Sequence, residues 1–266
     1  MDALRIGKEV QHSCICSIRT LSVVTVNYCS TSLIQRMEAI INSIPHACLI
    51  VVDNSGDFIA INPHTRVINA GGNIGFGKAS NLGASHADSE FVLFLNPDTV
   101  ITPETILGMI ECAPDRVQAI WAPAVLDHAG KVTTLTMPGR FGLMYCRGYI
   151  SNKFYSSTGI AALYVSGACM MLRTSFFRAL GGFCPDIFLY AEDLEMCSRA
   201  KEMGANILIF TDLRVKHIGG KSSARWISRF LRFSRSWKGH YSFLRKRANP
   251  LIAALNAAHL ATGLRV

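Results

Sequence analysis

No run of about 18 uninterrupted apolar residues occurs in this sequence, so it offers no membrane-crossing helix. The opening stretch "MDALRIGKEVQHSCICSIRT" scatters its charges and lacks an apolar h-region, which excludes a signal peptide. A ragged leader over residues 1–20 is expected instead. The nine cysteines include no CxxC pair, and Cys14-x-Cys16 has no partner cluster. A zinc site is therefore not expected, and reduced thiols in a cytosolic compartment are. Acid is missing from the last fifth of the chain. Residues 213–266 hold 12 Lys and Arg and no Asp or Glu, whereas residues 1–212 hold 15 against 18. The whole net charge of +9 thus belongs to the C-terminal segment. Such a segment should meet something anionic: lipid headgroups, a phosphorylated substrate or nucleic acid.

What is present is a strand and helix alternation. "LSVVTVNY" (21–28) and "ACLIVVDNS" (47–55) are β-rich apolar runs with polar ends, separated by a helical pattern over 30–44 behind a Ser/Thr cap. "TRVINA" (65–70) predicts a third strand, a glycine-opened helix covers 71–87, and "FVLFLNPD" predicts the fourth strand. The helix at 102–113 carries Thr102 as cap, Pro103 at its first position and Glu104 in its first turn. Half of the residues are hydrophobic, and the strands are apolar throughout, which suits a mostly parallel α/β sheet covered on both faces. Ligands of such sheets bind outside the carboxyl ends of the strands. Asn27-Tyr28, Asp53-Asn54 and Asn96-Asp98 should share that edge.

The pattern then changes. Residues 117–137 read as a strand, a turn at "DHAG" and a returning strand, and 138–160 as loop. "AALYVSGACMMLR" (161–173) predicts a strand broken at Ser166-Gly167-Ala168. A helix over 191–204 has its acids in the first turn and Gly204 as its stop. "NILIF" and "LRVKHIG" predict two further short strands. A basic helical region over 224–247 follows, broken by Pro250 before a last helix.

Four constellations can carry chemistry. Gly72-x-x-x-x-Gly77-Lys78 nearly matches a phosphate-cradling P-loop, but Ala79 stands where the magnesium-binding Ser or Thr is needed. A Rossmann pattern lacks its third glycine. The stretch is a plain helix entry or a nucleotide-shaping loop with Asn73 and Asn81 as polar contacts. Asp98 is a turn former or a metal ligand, since a carboxylate facing a diphosphate needs Mg2+ or Mn2+ between them. Glu192-Asp193 are helix-dipole partners, or one is a general base toward an attacking hydroxyl. His217 is structural, or a second metal ligand.

The order of these pieces resembles the family 2 inverting glycosyltransferases of the GT-A fold, in particular the bacterial rhamnosyltransferase branch. The stretches "VVTVNY", "IVVDNS", "NIGFGKASNLG", "FLNPDTVI", "VSGACMMLRTSFFRALGGF", "FLYAEDLEMCSRAKEMGANI" and "VKHIGG" carry the likeness across residues 21–222. The resemblance implies a GT-A domain over 21–222 and a basic helical appendage over 223–266. It implies donor-binding roles for Tyr28, Asp53, Asn73, Asn81 and Asn96, with Asp98 and His217 holding the metal. Asp193 would be the catalytic base and Glu192 would help position the acceptor, with Gly167 and Ala168 where the acceptor comes close. Two positions depart from the pattern. Glu195 stands where many relatives have Asp, and Asn96 replaces the first Asp of the metal motif, which should weaken metal binding in the absence of nucleotide.

The same resemblance implies an inverting in-line transfer, L-rhamnose from dTDP-L-rhamnose to a polyprenyl-diphosphate-linked saccharide being the expected case. In the basic segment, Trp226, Phe230, Phe233, Trp237 and Tyr241 interleave with Arg225, Arg229, Arg232, Arg235 and Lys238. Arg225 and Trp237 are expected to contact the acceptor. The segment should lie on anionic headgroups at the inner face of the cytoplasmic membrane, or grip the lipid diphosphate. No nucleic-acid module accompanies the charge, so nucleic acid is not an expected partner. A nucleotide hydrolase, a non-catalytic nucleotide-sugar or lipid binder, and a transferase of another hexose stay open at this level.

Overall fold

The computed structural model describes residues 20–115, 117–127, 129–130, 132, 136–138, 145–147, 155–156, 159–162, 164–218, 229–245 and 250–262. Of the leader expected over residues 1–20, residues 1–19 lie outside them, as does the boundary expected at 222.

The first half follows the predicted alternation. β1 (Leu21–Asn27), α1 (Thr31–Ile41), β2 (Ala47–Asp53), β3 (Arg66–Asn69), α2 (Phe76–Ser85), β4 (Phe91–Leu95), β5 (Thr99–Val100) and α3 (Pro103–Cys112) run in this order. β1 pairs in parallel with both β2 and β4, and β2 with β3. Thr102 caps α3 as expected, its hydroxyl accepting from the Thr105 N–H at 3.3 Å. The hydroxyl of Ser30, expected to cap α1, turns back instead to donate to the Tyr28 carbonyl at 3.1 Å.

The second half is built differently. It comprises β6 (Ala119–Leu126), β7 (Thr136–Pro138), β8 (Tyr145–Arg147), β9 (Tyr155–Ser156), β10 (Gly159–Ala161), β11 (Cys169–Arg173), α4 (Thr174–Ala179), α5 (Glu192–Glu202), β12 (Asn206–His217), α6 (Arg229–Leu244) and α7 (Pro250–Thr262). The main sheet has the order β3-β2-β1-β4-β11-β6-β12-β10-β9, with β5 paired to β12. β11 is antiparallel to both neighbours, β4 and β6. It therefore starts where β4 ends, which brings Gly167 and Ala168 to the sheet edge that carries Asn96.

Two expectations are corrected here. The two short strands expected at 206–219 are one strand, β12, whose pairing with β6 slips between Phe210 and Arg214. Polar Thr211 and Asp212 occupy the slip, so the sequence reads as an interruption while the backbone continues. Of the strand expected to return after the 127–130 turn, the described residues show the bridge between Leu126 and Val132 and the start of β7; residues 131 and 133–135 lie outside them. The segment 138–160, expected as loop, contributes β8, β9 and the start of β10.

Both faces of the sheet are covered. Ile34, Met37 and Ile41 of α1 and Ile106 and Met109 of α3 pack on one face. Phe176 and Phe177 of α4 and Met196, Cys197 and Ala200 of α5 pack on the other. Large aliphatic or aromatic side chains contribute about 1.5–3 kcal/mol each when fully buried. A third cluster joins the C-terminal helices to this body. Phe243 and Leu244 of α6 and Ala253 and Ala257 of α7 are buried against Ile187, Ala191 and Leu194. The described part of the basic segment is thus packed on the start of α5, where Glu192 and Asp193 lie.

Candidate active site

The sheet edge organises itself through strand-end amides and acids. Asn27 is fully buried at the end of β1. Its amide donates to Asp53 Oδ1 at 2.9 Å and its Oδ1 accepts from the Ser30 N–H at 3.0 Å. Asp53 Oδ1 also accepts from the N–H groups of Ser55 and Gly56, and Oδ2 from that of Phe58 at 3.0 Å. Burial works against the charged form of Asp53, but the Phe58, Asn27, Ser55 and Gly56 donors outweigh it and hold the carboxyl below its usual range. Asp53 therefore shapes the loop after β2, with Oδ2 its less occupied oxygen. Tyr28 stands half-buried on the neighbouring loop.

The glycine loop is tied to the same edge. Asn73 Oδ1 accepts from the Gly75 N–H at 3.1 Å, and the Asn54 amide reaches Asn73 Oδ1 and the Gly75 carbonyl at 3.4 Å each. Asn54 Oδ1 is buried with no hydrogen-bond partner. Lys78 points out to solvent on α2. Asn81, expected as a donor contact, bonds to the loop after α4. Its amide donates to the Phe183 carbonyl and its carbonyl accepts from the Phe183 N–H, both at 2.8 Å. It braces α2 against the loop after α4.

The fourth strand delivers the acid pair's partner. Asn96 donates its backbone N–H to the Ala168 carbonyl at 3.0 Å, and the Thr99 hydroxyl donates to the same oxygen at 3.0 Å. β5 pairs Thr99 with His217 of β12. That pairing sets His217 Nε2 3.1 Å from Oδ1 of the buried Asp98. A carboxylate oxygen and an imidazole nitrogen suit a divalent ion of the Mg2+ or Mn2+ kind. Among the described residues, no three His, Cys, Asp or Glu side chains gather into one cluster. At this corner the described residues offer the pair Asp98 and His217, with Asn96 alongside.

The opposite wall comes from α5. Asp193 Oδ2 accepts from the Tyr164 hydroxyl at 2.5 Å and from the Gly167 N–H at 2.9 Å. Burial, then the charge of Asp193, raise the Tyr164 phenol well above its usual value, so it stays a donor. A Cβ on Gly167 would lie 3.5 Å from Asp193 Oδ2, so a longer side chain would enter the site. Glu192 is buried beside Asp193 with Oε2 unpartnered. Desolvation first, and the Asp193 charge second, push its carboxyl well above the carboxylate range. Glu192 is therefore held in its neutral form near pH 7, beside Asp193.

The turn that presents them is strained. Tyr190 and Ala191 both adopt left-handed backbone, with φ of 69° and 73°, and neither is glycine. Such residues cost about 1–3 kcal/mol each and persist where the surroundings impose them. Here the Phe76 N–H holds the Phe188 carbonyl at 3.0 Å, and Gly239 of α6 seats on the Leu189 and Tyr190 carbonyls.

A cavity of about 400 Å³ joins the two walls. Asn96, Gly167, Ala168, Glu192, Asp193 and His217, each named from the sequence, all line it. Tyr164, Tyr190 and His240 line it too and were not foreseen. The hydroxyl of Tyr164 meets Asp193 across 29 residues, and no local signal marks such a pairing. His240 was legible only in part. Trp237, Tyr241 and Leu244 mark a helical stripe, and His240 falls on it.

Two expected acceptor contacts stand apart. Trp237 donates its indole N–H to the Ala254 carbonyl at 3.2 Å and stacks on Tyr241 at 5.2 Å. It fastens α6 to α7 and is not among the residues lining this cavity. Arg225 and Trp226, and the side chains of Arg229, Phe230, Arg232 and Phe233, lie outside the described residues.

Comparisons with known proteins agree with this geometry. The chain is 27% identical over 196 residues to the low-salt glycan biosynthesis hexosyltransferase Agl10 of Haloferax volcanii, an alignment covering 70% of this chain and 63% of that one. It is 23% identical over 182 residues to the rhamnosyltransferase WbbL of Escherichia coli, covering 62% and 68%. It is 26% identical over 191 residues to the N-acetylglucosaminyl-diphospho-decaprenol L-rhamnosyltransferase of Mycobacterium tuberculosis, covering 61% and 62%. The chain thus spans roughly two thirds of the length of these relatives. Among solved structures, the mannosyltransferase PcManGT of Pyrobaculum calidifontis, in complex with GDP-Man and Mn2+, superposes with a TM-score of 0.60 at 16% identity, covering 93% of this chain and 74% of that one. The model of the family described as "Glycosyltransferase like family 2" matches residues 19–236 and so extends into α6. With its GT-A fold and this match over most of its length, the chain belongs to glycosyltransferase family 2.

Proposed function

We propose that the protein is a metal-dependent inverting glycosyltransferase that moves L-rhamnose from dTDP-L-rhamnose to a polyprenyl-diphosphate-linked saccharide such as GlcNAc. One observation carries this reading: Asp193 on α5, and Asn96 and His217 at the Asp98 corner, line a single cavity. A base and a diphosphate site must face each other across the reacting carbon for in-line displacement. The names of the rhamnosyltransferase relatives support the donor and the acceptor class.

In this mechanism Tyr28, Asp53, Asn73 and Asn96 border the nucleotide. Asp98 and His217 would hold a divalent ion, which would offset the charge of the leaving diphosphate. Asp193, oriented by Tyr164 and the Gly167 N–H, takes the proton of an acceptor hydroxyl. That oxygen bonds to the anomeric carbon from the side opposite the diphosphate. The bond from the anomeric carbon to the diphosphate oxygen breaks, and its electron pair leaves with the diphosphate. Configuration inverts once, so a β-linked donor gives an α-rhamnoside.

The domain limits follow as proposed, 21–222 for catalysis and 223–266 for contact with the acceptor and with anionic lipid at the inner face of the cytoplasmic membrane. The cationic composition of the segment supports that surface, as do Leu251 and Leu255 exposed on α7. No helix among the described residues is long and apolar enough to cross a membrane.

The test is a donor screen with Mn2+ or Mg2+ and a polyprenyl-diphosphate GlcNAc acceptor, read by mass spectrometry. Transfer from dTDP-L-rhamnose is the expected result. Turnover with a UDP- or GDP-hexose alone would retain the mechanism and discard rhamnose, a reading that the hexosyltransferase relative favours. Hydrolysis of nucleotide without any sugar transfer would overturn the proposal.

A further inference from the structure

His240 sits on the basic helix α6, yet it faces the same cavity as Asp193. Its Nδ1 lies 2.8 Å from the Ser236 carbonyl, one helical turn back. A carbonyl oxygen only accepts, so Nδ1 carries the proton and donates it. Nε2 is then the nitrogen with the free lone pair, and none of the described hydrogen bonds uses it. Burial first works to keep the ring neutral, while the Ser236 contact and the charge of Asp193 work the other way; the net effect is a value below the usual one. The ring is also fixed in place. Gly239 seats α6 on the Leu189 and Tyr190 carbonyls, and Phe243 and Leu244 anchor the next turn in the core.

We infer that His240 is a positioning residue for the acceptor sugar, its Nε2 accepting a hydrogen bond from an acceptor hydroxyl within the cavity that holds Asp193. Asp193 Oδ2 already has two donors, and Glu192 is buried in its uncharged form. A neutral lone pair on a rigid helix orients a hydroxyl without adding a charge beside the base. The inference rests on the proposed transfer. It also gives His240 of the C-terminal segment a part in acceptor contact, beside the contacts expected there from Arg225 and Trp237.

The experiment compares His240→Phe and His240→Gln in the full chain. It uses a farnesyl-diphosphate-linked GlcNAc acceptor with dTDP-L-rhamnose, or with the UDP- or GDP-hexose that the wild type turns over. Phe keeps the ring and removes the lone pair, whereas Gln restores an acceptor oxygen close to the position of Nε2. One neutral hydrogen bond corresponds to about three- to tenfold in affinity. His240→Phe should raise the acceptor KM by about that factor and leave the donor KM in place, and His240→Gln should recover most of the loss. Thermal unfolding of both variants separates these effects from a loss of fold. An unchanged acceptor KM in His240→Phe overturns the inference, as does an equal loss in Phe and Gln variants. Absence of transfer by the wild type with every donor overturns the underlying reading and the inference together.

Discussion

Nε2 of His217 stands 3.1 Å from Oδ1 of Asp98, across 119 residues of chain. The contact exists because the short strand β5 turns back onto the end of β12. In the proposed reaction these two atoms hold the metal, and Asn96 supplies no carboxylate. The donor diphosphate should then be needed to complete the coordination. Calorimetry should show Mn2+ binding weakly alone and at least tenfold more tightly with dTDP present. Asn96→Asp should narrow that gap by strengthening binding without nucleotide, and Asp98→Asn should abolish the nucleotide-assisted binding. Equal Mn2+ affinity with and without dTDP would count against the assignment.

Asp193 and Tyr164 make a second pair. Asp193→Asn keeps the shape and removes the base, so kcat should drop by about 10²–10⁴ while donor affinity persists. Tyr164→Phe removes the 2.5 Å hydrogen bond that orients the carboxylate. A loss of about tenfold in kcat is expected there, in line with one charge-assisted hydrogen bond. Normal turnover by Asp193→Asn would remove Asp193 from the mechanism.

Glu192 should respond to pH with a definite sign. Its carboxyl in the folded chain lies well above the ordinary value of 4.5 because of burial and the Asp193 charge. The unfolded chain therefore ionises first as pH rises. Stability from this group is fully present below about pH 4.5 and declines as pH climbs toward the raised folded value. Glu192→Gln mimics the neutral acid and escapes that penalty. Melting curves should show the variant gaining stability on the wild type as pH rises from 5 to 8, with no gain at pH 4. At pH 7 transfer by the variant should persist within about tenfold, since Gln keeps the uncharged state. A pH-independent difference in melting temperature would contradict the burial argument.

Gly239 gives a structural prediction. A Cβ at this position would collide with the Tyr190 carbonyl and lie 2.7 Å from the Leu189 carbonyl. Backbone atoms cannot swing aside as a side chain would. Gly239→Ala should cost about 1–3 kcal/mol in urea unfolding. It should also lower transfer more than donor binding, because the strained turn beneath it presents Glu192 and Asp193. Wild-type stability in Gly239→Ala would show that α6 does not brace that turn.

Much of this site was legible because its information is local. Polar residues closing apolar strands, a glycine-rich helix entry and acids opening a helix are patterns of neighbours, and they placed Asn96, Asp98 and Asp193 at the ends of elements. Parallel strands separated by helices then force those ends onto one edge. What the sequence did not disclose depends on pairings between distant segments. β11 runs antiparallel in the middle of the sheet, and this alone sets Gly167 and Ala168 beside Asn96 and within reach of Asp193. Thr211 and Asp212 look like a strand break, yet the ladder resumes after them and carries His217 to Asp98. Asn81 and Trp237 carry polar and aromatic signals of binding, but their hydrogen bonds close on the backbone of Phe183 and Ala254. The basic helix reads as a surface element by charge, whereas Gly239 and the stripe ending at Phe243 and Leu244 seat it over the strained turn. Charge and periodicity determined which elements form and which faces are wet; long-range hydrogen bonding and close packing decided which side chains meet, because those depend on how the elements are ordered in space and not on their own composition.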